Sequence, residues 1–73
     1  MLITHEEARQ LPSFTSHTEA QDYFRKRYGS QFFVFYSGDR DNGNKIYFCY
    51  LIPENGTTQR IEIHKNGRVD IEY

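Results

Sequence analysis

Residues 31–73 read QFFVFYSGDRDNGNKIYFCYLIPENGTTQRIEIHKNGRVDIEY, and this stretch decides the fold. Short runs of β-branched and aromatic residues alternate with Gly, Asn and Pro, which is typical of strands joined by tight turns. The pattern predicts four strands, at Gln31–Ser37, Lys45–Ile52, Thr57–His64 and Arg68–Tyr73. The composition of residues 38–44 predicts a loop. Two Asn-Gly pairs, at 55–56 and 66–67, predict hairpins, so the strands should form an antiparallel meander.

The Asn-Gly pair at 55–56 predicts how the second and third strands pair. A two-residue turn there places Tyr50 opposite Ile61 and Phe48 opposite Ile63, which puts apolar residues together on one face. With this register, one face of the sheet collects the predicted core, namely Ile46, Phe48, Tyr50, Ile52, Ile61, Ile63, Val69, Ile71 and Tyr73.

A two-residue turn at the second Asn-Gly pair would bring isoleucines opposite acidic residues. A three-residue loop at 65–67 instead pairs Ile63 with Val69 and Ile61 with Ile71. The sequence therefore predicts a type I turn whose glycine takes a left-handed conformation at a bulge.

The N-terminal part predicts two helices, over residues 5–11 and 17–28. The sequences THEE at 4–7 and SHTE at 16–19 are capping boxes. Pro12 limits the first helix, and a glycine follows the second. The predicted fold is α+β: one or two N-terminal helices packed on one face of a four-stranded antiparallel β-meander.

Length and composition restrict the possible classes of protein. The chain has 73 residues, a formal net charge of -1 and one Cys, which predicts a single domain over residues 1–73 without internal disulfides. No apolar run reaches the ~20 residues of a membrane span, and no signal-peptide pattern occurs. We therefore expect a cytoplasmic protein with no membrane association.

The other face of the predicted sheet is half polar and half apolar. The predicted third and fourth strands place charged residues there, whereas the first two strands supply large apolar residues. Aromatic-rich exposed patches mark association surfaces, so we predict a protein interface, in a homodimer or with another protein partner. An alternative is that the first helix and Leu2-Ile3 cover this patch. The predicted interface residues are Phe32, Val34, Tyr36, Tyr47, Cys49 and Leu51.

A second functional class is nucleic-acid binding through Arg25, Lys26 and Arg27 at the end of the second helix. Cations at a helix C-terminus also stabilise the helix dipole, and nearby carboxylates dilute the positive field. This reading predicts weak binding, and it ranks behind a protein partner.

The predicted registers also place Cys49, Glu62 and His64 close together on the outer face. Such a group can form a thiolate nucleophile or hold a metal, but a flat sheet supplies neither a pocket nor oxyanion donors. We expect no enzymatic activity, no catalytic or metal-ligating residue, no cofactor and no small-molecule substrate.

Overall fold

Two helices precede a four-stranded antiparallel sheet in the computed structural model, which describes residues 3–40, 44–54 and 56–73. The strands follow one another across the sheet in the order β1-β2-β3-β4. This confirms the predicted α+β meander. The elements are α1 (His5–Arg9), α2 (His17–Tyr28), a 3₁₀ turn (Gly29–Gln31), β1 (Phe32–Arg40), β2 (Asn44–Leu51), β3 (Gln59–His64) and β4 (Val69–Ile71).

Both helices begin at the predicted side-chain caps. The Thr4 hydroxyl accepts a hydrogen bond from the Glu7 N–H at 3.1 Å, and the Ser16 hydroxyl accepts one from the Glu19 N–H at 3.2 Å. The Glu19 carboxylate in turn accepts from the Thr15 N–H at 3.2 Å, one residue before the cap. α2 has its predicted bounds, whereas α1 ends two residues earlier than predicted.

The hairpin between β3 and β4 has the predicted three-residue loop. Ile63 pairs with Val69 and Ile61 with Ile71. The Gly67 N–H donates to the His64 carbonyl at 2.9 Å, which closes the turn, and Gly67 has a φ of 97°. The left-handed glycine is therefore confirmed.

The predicted register between β2 and β3 is wrong by one residue. Cys49 lies opposite Ile61 and Tyr47 opposite Ile63, whereas Tyr50 lies opposite Arg60. β2 ends at Leu51 and β3 begins only at Gln59, so a longer connection replaces the two-residue turn and no longer sets the register.

A shift of one residue exchanges the two faces of a strand. The side chains of Tyr47, Cys49 and Leu51 consequently face the helices, and Ile46, Phe48 and Tyr50 face away from them. The helix-facing core consists of Ile3, Ala20, Phe24, Phe32, Cys49, Leu51, Ile61 and Ile63.

The hairpin between β1 and β2 is longer than predicted, because residues 38–40 and 44 belong to strands rather than to a loop. Residues 41–43 of the predicted loop, and Asn55 of the predicted turn, lie outside the described residues. A Cβ atom on Gly38 would stand 3.3 Å from the Phe48 ring. The absence of a side chain at Gly38 therefore leaves room for the Phe48 ring beside β1.

One contact that the sequence analysis missed fixes the N-terminal segment. The buried Gln59 amide donates to the Ile3 carbonyl at 2.9 Å and accepts from the Ile3 N–H at 2.7 Å. Both backbone groups of Ile3 are thereby satisfied, so that its side chain can be buried to 2% exposure in the core.

Gly67 lies in close contact with the segment that precedes α2. A Cβ atom there would overlap the Phe14 carbonyl and lie 2.9 Å from the Ser16 nitrogen. The substitution Gly67→Ala should lower the free energy of unfolding by about 1–3 kcal/mol from backbone strain alone, and further because the segment before α2 must move.

Comparing the urea denaturation of Gly67→Ala with that of Gly56→Ala measures how much the contact with the segment before α2 adds to the loss of stability. Gly56 also has a positive φ, of 124°, but a Cβ there meets only Pro53 at 3.9 Å. Gly67→Ala should be the more destabilising variant; equal losses would show that the contact with residues 14–16 contributes nothing.

Candidate functional site

Five aromatic side chains cluster on the side of the sheet that faces away from the helices, and one of them, Phe48, is buried at 8% exposure. This cluster, the aromatic face, consists of Phe33, Phe35 and Tyr36 of β1 and Phe48 and Tyr50 of β2. Its geometry depends on a β-bulge, because the pairing with β2 shifts between Val34 and Tyr36 and leaves Phe35 as an extra residue. The bulge changes the alternation of β1, so that Phe33 opposite Tyr50 and Tyr36 opposite Phe48 share one face.

The rings of the aromatic face contact one another. Tyr36 stacks on Phe48 with 4.7 Å between ring centres, and Phe35 lies 4.8 Å from Tyr50. Phe33 meets Phe35 edge-on at 6.2 Å. The β1 rings remain accessible, with exposed fractions of 42% for Phe33, 58% for Phe35 and 55% for Tyr36. Among the described residues, β1 therefore carries three of the five exposed large hydrophobic side chains, the others being Ile52 and Tyr73.

The remaining half of the outer face is charged and internally paired. The Arg60 guanidinium lies 5.0 Å from the centre of the Phe48 ring and 3.3 Å from the Glu62 carboxylate, so it separates the two halves. Asp70 accepts from the His64 ring at 2.8 Å and lies 3.4 Å from Arg68. This half presents a network of charge pairs to solvent.

The slip in register relocates most of the predicted interface residues. Phe32, Cys49 and Leu51 are buried in the helix-facing core, and Val34 and Tyr47 are partly buried against it. Their placement on the outer face is wrong, because the β2–β3 register turns Tyr47, Cys49 and Leu51 toward the helices, together with the β1 residues paired with them before the bulge. Tyr36 is the exception, since it lies on the aromatic face and is exposed.

The described part of α1 does not cover the aromatic face. Ala8 and Leu11 pack against the helix-facing core, together with Ile3. Of the predicted covering segment, Leu2 lies outside the described residues. The first helix therefore completes the core on the same side of the sheet as α2.

The basic run lies in the last turn of α2, on the helical side of the molecule. The Arg25 guanidinium stands 5.9 Å from the centre of the Phe32 ring. Arg27 lies 3.8 Å from the Glu7 carboxylate, and a hydrogen bond from its guanidinium to Tyr28 is the main cause that raises its pKa. The structure thus separates Arg25, Lys26 and Arg27 from the aromatic face by the thickness of the sheet.

The predicted group of Cys49, Glu62 and His64 does not assemble. Cys49 faces the helices, whereas Glu62 and His64 belong to the charged half of the outer face, because neighbouring paired residues share a face and Glu62 pairs with Phe48. Burial raises the pKa of the Cys49 thiol to about 12. Among the described residues, no three His, Cys, Asp or Glu side chains are arranged to hold a metal ion.

A shallow groove of about 430 Å³ adjoins the aromatic face at one end of the sheet. Ile3, Tyr50, Thr57 and Tyr73 supply apolar walls, and Arg60 with Glu72 forms a charged rim. The Arg60 Nε atom lies 3.9 Å from the Glu72 carboxylate. The rim charges thus face each other and present no single sign to a ligand.

Four members of the aromatic face escaped the sequence analysis: Phe33, Phe35, Phe48 and Tyr50. Their signal was present, because the first two predicted strands are apolar on both sides, which is unusual for a solvated antiparallel sheet. The pattern indicated that an apolar outer surface exists, but it could not indicate which set of residues forms it.

The chain matches no known protein-family model, and no curated protein or solved structure is significantly similar to it. Among the described residues, no helix combines the length and apolarity that a bilayer span requires.

Cys49 should react slowly with alkylating reagents in the folded protein. The thiolate is the reactive species, and a pKa of about 12 together with complete burial leaves almost none of it accessible at pH 8. Labelling followed by mass spectrometry should show a rate far below that of a free thiol, rising to the free rate in denaturant. Rapid labelling of native protein at pH 6 would contradict the buried, protonated state.

The raised pKa of the Cys49 thiol also makes the stability of the protein depend on pH. The thiol keeps its proton in the folded state to about pH 12, whereas its ordinary pKa is 9.0. Alkaline pH therefore favours the unfolded chain, and the contribution of Cys49 to stability should fall from pH 9 upward. Cys49→Ala should lose less stability between pH 8 and pH 10.5 than the wild type.

Proposed function

We propose that this protein is a small non-catalytic interaction module that self-associates through the aromatic face. The supporting observation is the concentration of exposed rings on β1, where Phe33, Phe35 and Tyr36 are each more than two-fifths exposed. The largest exposed apolar patch of a protein is often a functional surface, and aromatic residues are enriched where proteins associate. The lone buried cysteine fits a reducing compartment such as the cytoplasm.

The area that these rings offer is substantial for a small chain. Taking about 200 Å² for a whole aromatic side chain, the three β1 rings expose roughly 300 Å² in each copy. A standard interface buries about 800 Å² per partner. If their exposed area were buried completely, three side chains would supply somewhat more than a third of the required surface, and aromatic residues are enriched in such interfaces.

A second copy is the occupant that the charges favour. The aromatic face has no net positive border, because Arg60 is paired with Glu62 and Asp70 is shared by His64 and Arg68. A strongly charged partner would find no complementary field there. A second aromatic face is apolar in the same region and carries the same neutralised border.

Replacing Phe35 by Asp tests this proposal. The charge would have to be buried at the interface, which is costly for an unpaired carboxylate, so the mass of the assembly in light scattering should fall toward the chain mass of 8.7 kDa. Tyr73→Asp is the matched control, since Tyr73 is also 58% exposed but stacks on His5 and is not a member of the aromatic face. A wild-type protein that is monomeric at submillimolar concentration would overturn self-association.

Nucleic-acid binding through Arg25, Lys26 and Arg27 is the alternative function. Cooperative binding of single strands combines phosphate contacts with base stacking on one surface, whereas these cations lie on the side of the sheet opposite to the exposed rings. The three residues alone would give a shallow dependence of affinity on salt, with a slope on the order of −2 to −3.

We expect a fluorescence titration at physiological salt to show no saturable binding of single- or double-stranded DNA or RNA. The matched variant replaces all three cations by Ala. Submicromolar binding by the wild type that this variant loses would place the alternative ahead of self-association.

A further inference from the structure

β1 is one edge of the sheet in the described part of the chain, and its backbone has an open side. The Ile52 N–H donates to the Gln31 carbonyl at 2.8 Å, so the backbone groups of Gln31 point toward β2. These directions alternate along an antiparallel strand. The backbone N–H and carbonyl of Phe33 therefore also point toward β2, and those of Val34 point to the open side.

The bulge changes the spacing of these open groups. Beyond Phe35, Tyr36 pairs with Phe48 and Gly38 with Ile46. The backbone N–H and carbonyl groups of Tyr36 and Gly38 point toward β2. The next open groups after Val34 are consequently those of Ser37, three residues further on instead of two. A regular partner strand meets such an interval only through a bulge, as β2 does where Phe33 and Tyr36 pair with Tyr50 and Phe48, whereas a strand with the same interval needs none.

A second copy of β1 can match it. We propose that two copies pair antiparallel along β1, about a two-fold axis between Phe35 and Tyr36, so that the two bulges face each other. Val34 of each copy then lies opposite Ser37 of the other, and Phe32 lies opposite Asp39. This inference rests on the proposed self-association and specifies its geometry.

The side chains agree with this register. Val34 and Phe32 face the helices, and after the bulge so does Ser37, which pairs with Tyr47 of the helix-facing side. Cross-strand neighbours therefore share a face at every position. The aromatic faces of the two copies adjoin in one eight-stranded sheet. A two-fold axis through Val34 would instead place Phe32 opposite Tyr36. The backbone groups of Tyr36 point toward β2, so they could not bond to the second copy.

Charge complementarity supports the same arrangement. Asp39 is exposed and pairs with Lys45, whose ammonium lies 5.8 Å from the Tyr47 ring on the helix-facing side. The proposed register brings Asp39 directly opposite the second copy's Phe32, over which Arg25 extends at 5.9 Å. The two-fold axis thus creates two equivalent contacts between Arg25 of one copy and Asp39 of the other.

Charge reversal tests these contacts. Arg25→Asp places two carboxylates at each contact and Asp39→Arg places two cations there, so each single variant should raise the dimer dissociation constant on the order of tenfold at low salt. Lys26→Asp is the matched control, because it makes the same charge change in the adjacent, exposed position of α2 and should leave the constant unchanged.

Mixing the two single variants is the decisive measurement. A heterodimer of Arg25→Asp with Asp39→Arg contains two opposite-charge contacts, so the mixture should associate near the wild-type concentration, as sedimentation of the mixture with one variant labelled will show. The double variant, with Arg25→Asp and Asp39→Arg in one chain, should also associate near the wild-type concentration. Helical circular dichroism of each single variant excludes misfolding as the cause of lost association.

The outcomes separate the geometry from the proposed function. If the wild type associates and Phe35→Asp weakens it, but neither charge reversal has an effect beyond that of Lys26→Asp, the aromatic face mediates association and β1 pairing is wrong. Loss of association by both single variants without recovery in their mixture would also overturn the pairing. A monomeric wild type would overturn both.

Discussion

The pairing of β2 with β3 is the constraint on which the remaining architecture depends. Ile61 and Ile63 are fully buried, and whichever side chains of β2 lie opposite them join the same layer. Cys49 and Tyr47 occupy those positions, and they bring Leu51 with them. Phe48 and Tyr50 are thereby assigned to the opposite surface. One register thus determines both what the helices cover and what the molecule presents outward.

Polar interactions fix which face of β3 is turned toward the helices. The Gln59 side chain holds both backbone groups of Ile3 from inside the protein, and an amide in that position is stable only because its hydrogen bonds are made. Turning β3 over would take this amide away from the N-terminal segment. Arg60 and Glu62 would at the same time enter the layer beneath α2, where burying charges is costly.

Local signals in the sequence were sufficient for the helices and for one hairpin. Thr4 and Ser16 cap the helices as predicted, because capping depends on residues only three positions away. Gly67 closes the last hairpin as predicted, since β3 and β4 have one polar face each and admit only one acceptable pairing. These elements account for the fold class, for both ends of α2, and for the first residue of α1 and the last residue of β3.

The candidate site could not be predicted to the same extent. β2 is apolar on both sides, so hydrophobicity alone does not decide whether Phe48 or Cys49 faces the helix-facing core. The inserted residue Phe35 reverses the alternation within β1, and no turn residue marks its position in the sequence. The composition of the first two strands indicated an apolar outer surface, but selection of its members required the long-range pairing.

The two-sided character of β2 also bears on how the chain folds. A strand with apolar residues on both faces can begin to pair with β3 in either of two registers, and the slipped register would also place apolar side chains, those of Phe48 and Tyr50, against the helices. Escape from it requires breaking every hydrogen bond of the ladder at once, because a one-residue shift reverses all side chains. We therefore expect refolding to contain a minor slow phase, populated by molecules that first paired β2 with the wrong face inward and had to separate the strands before folding.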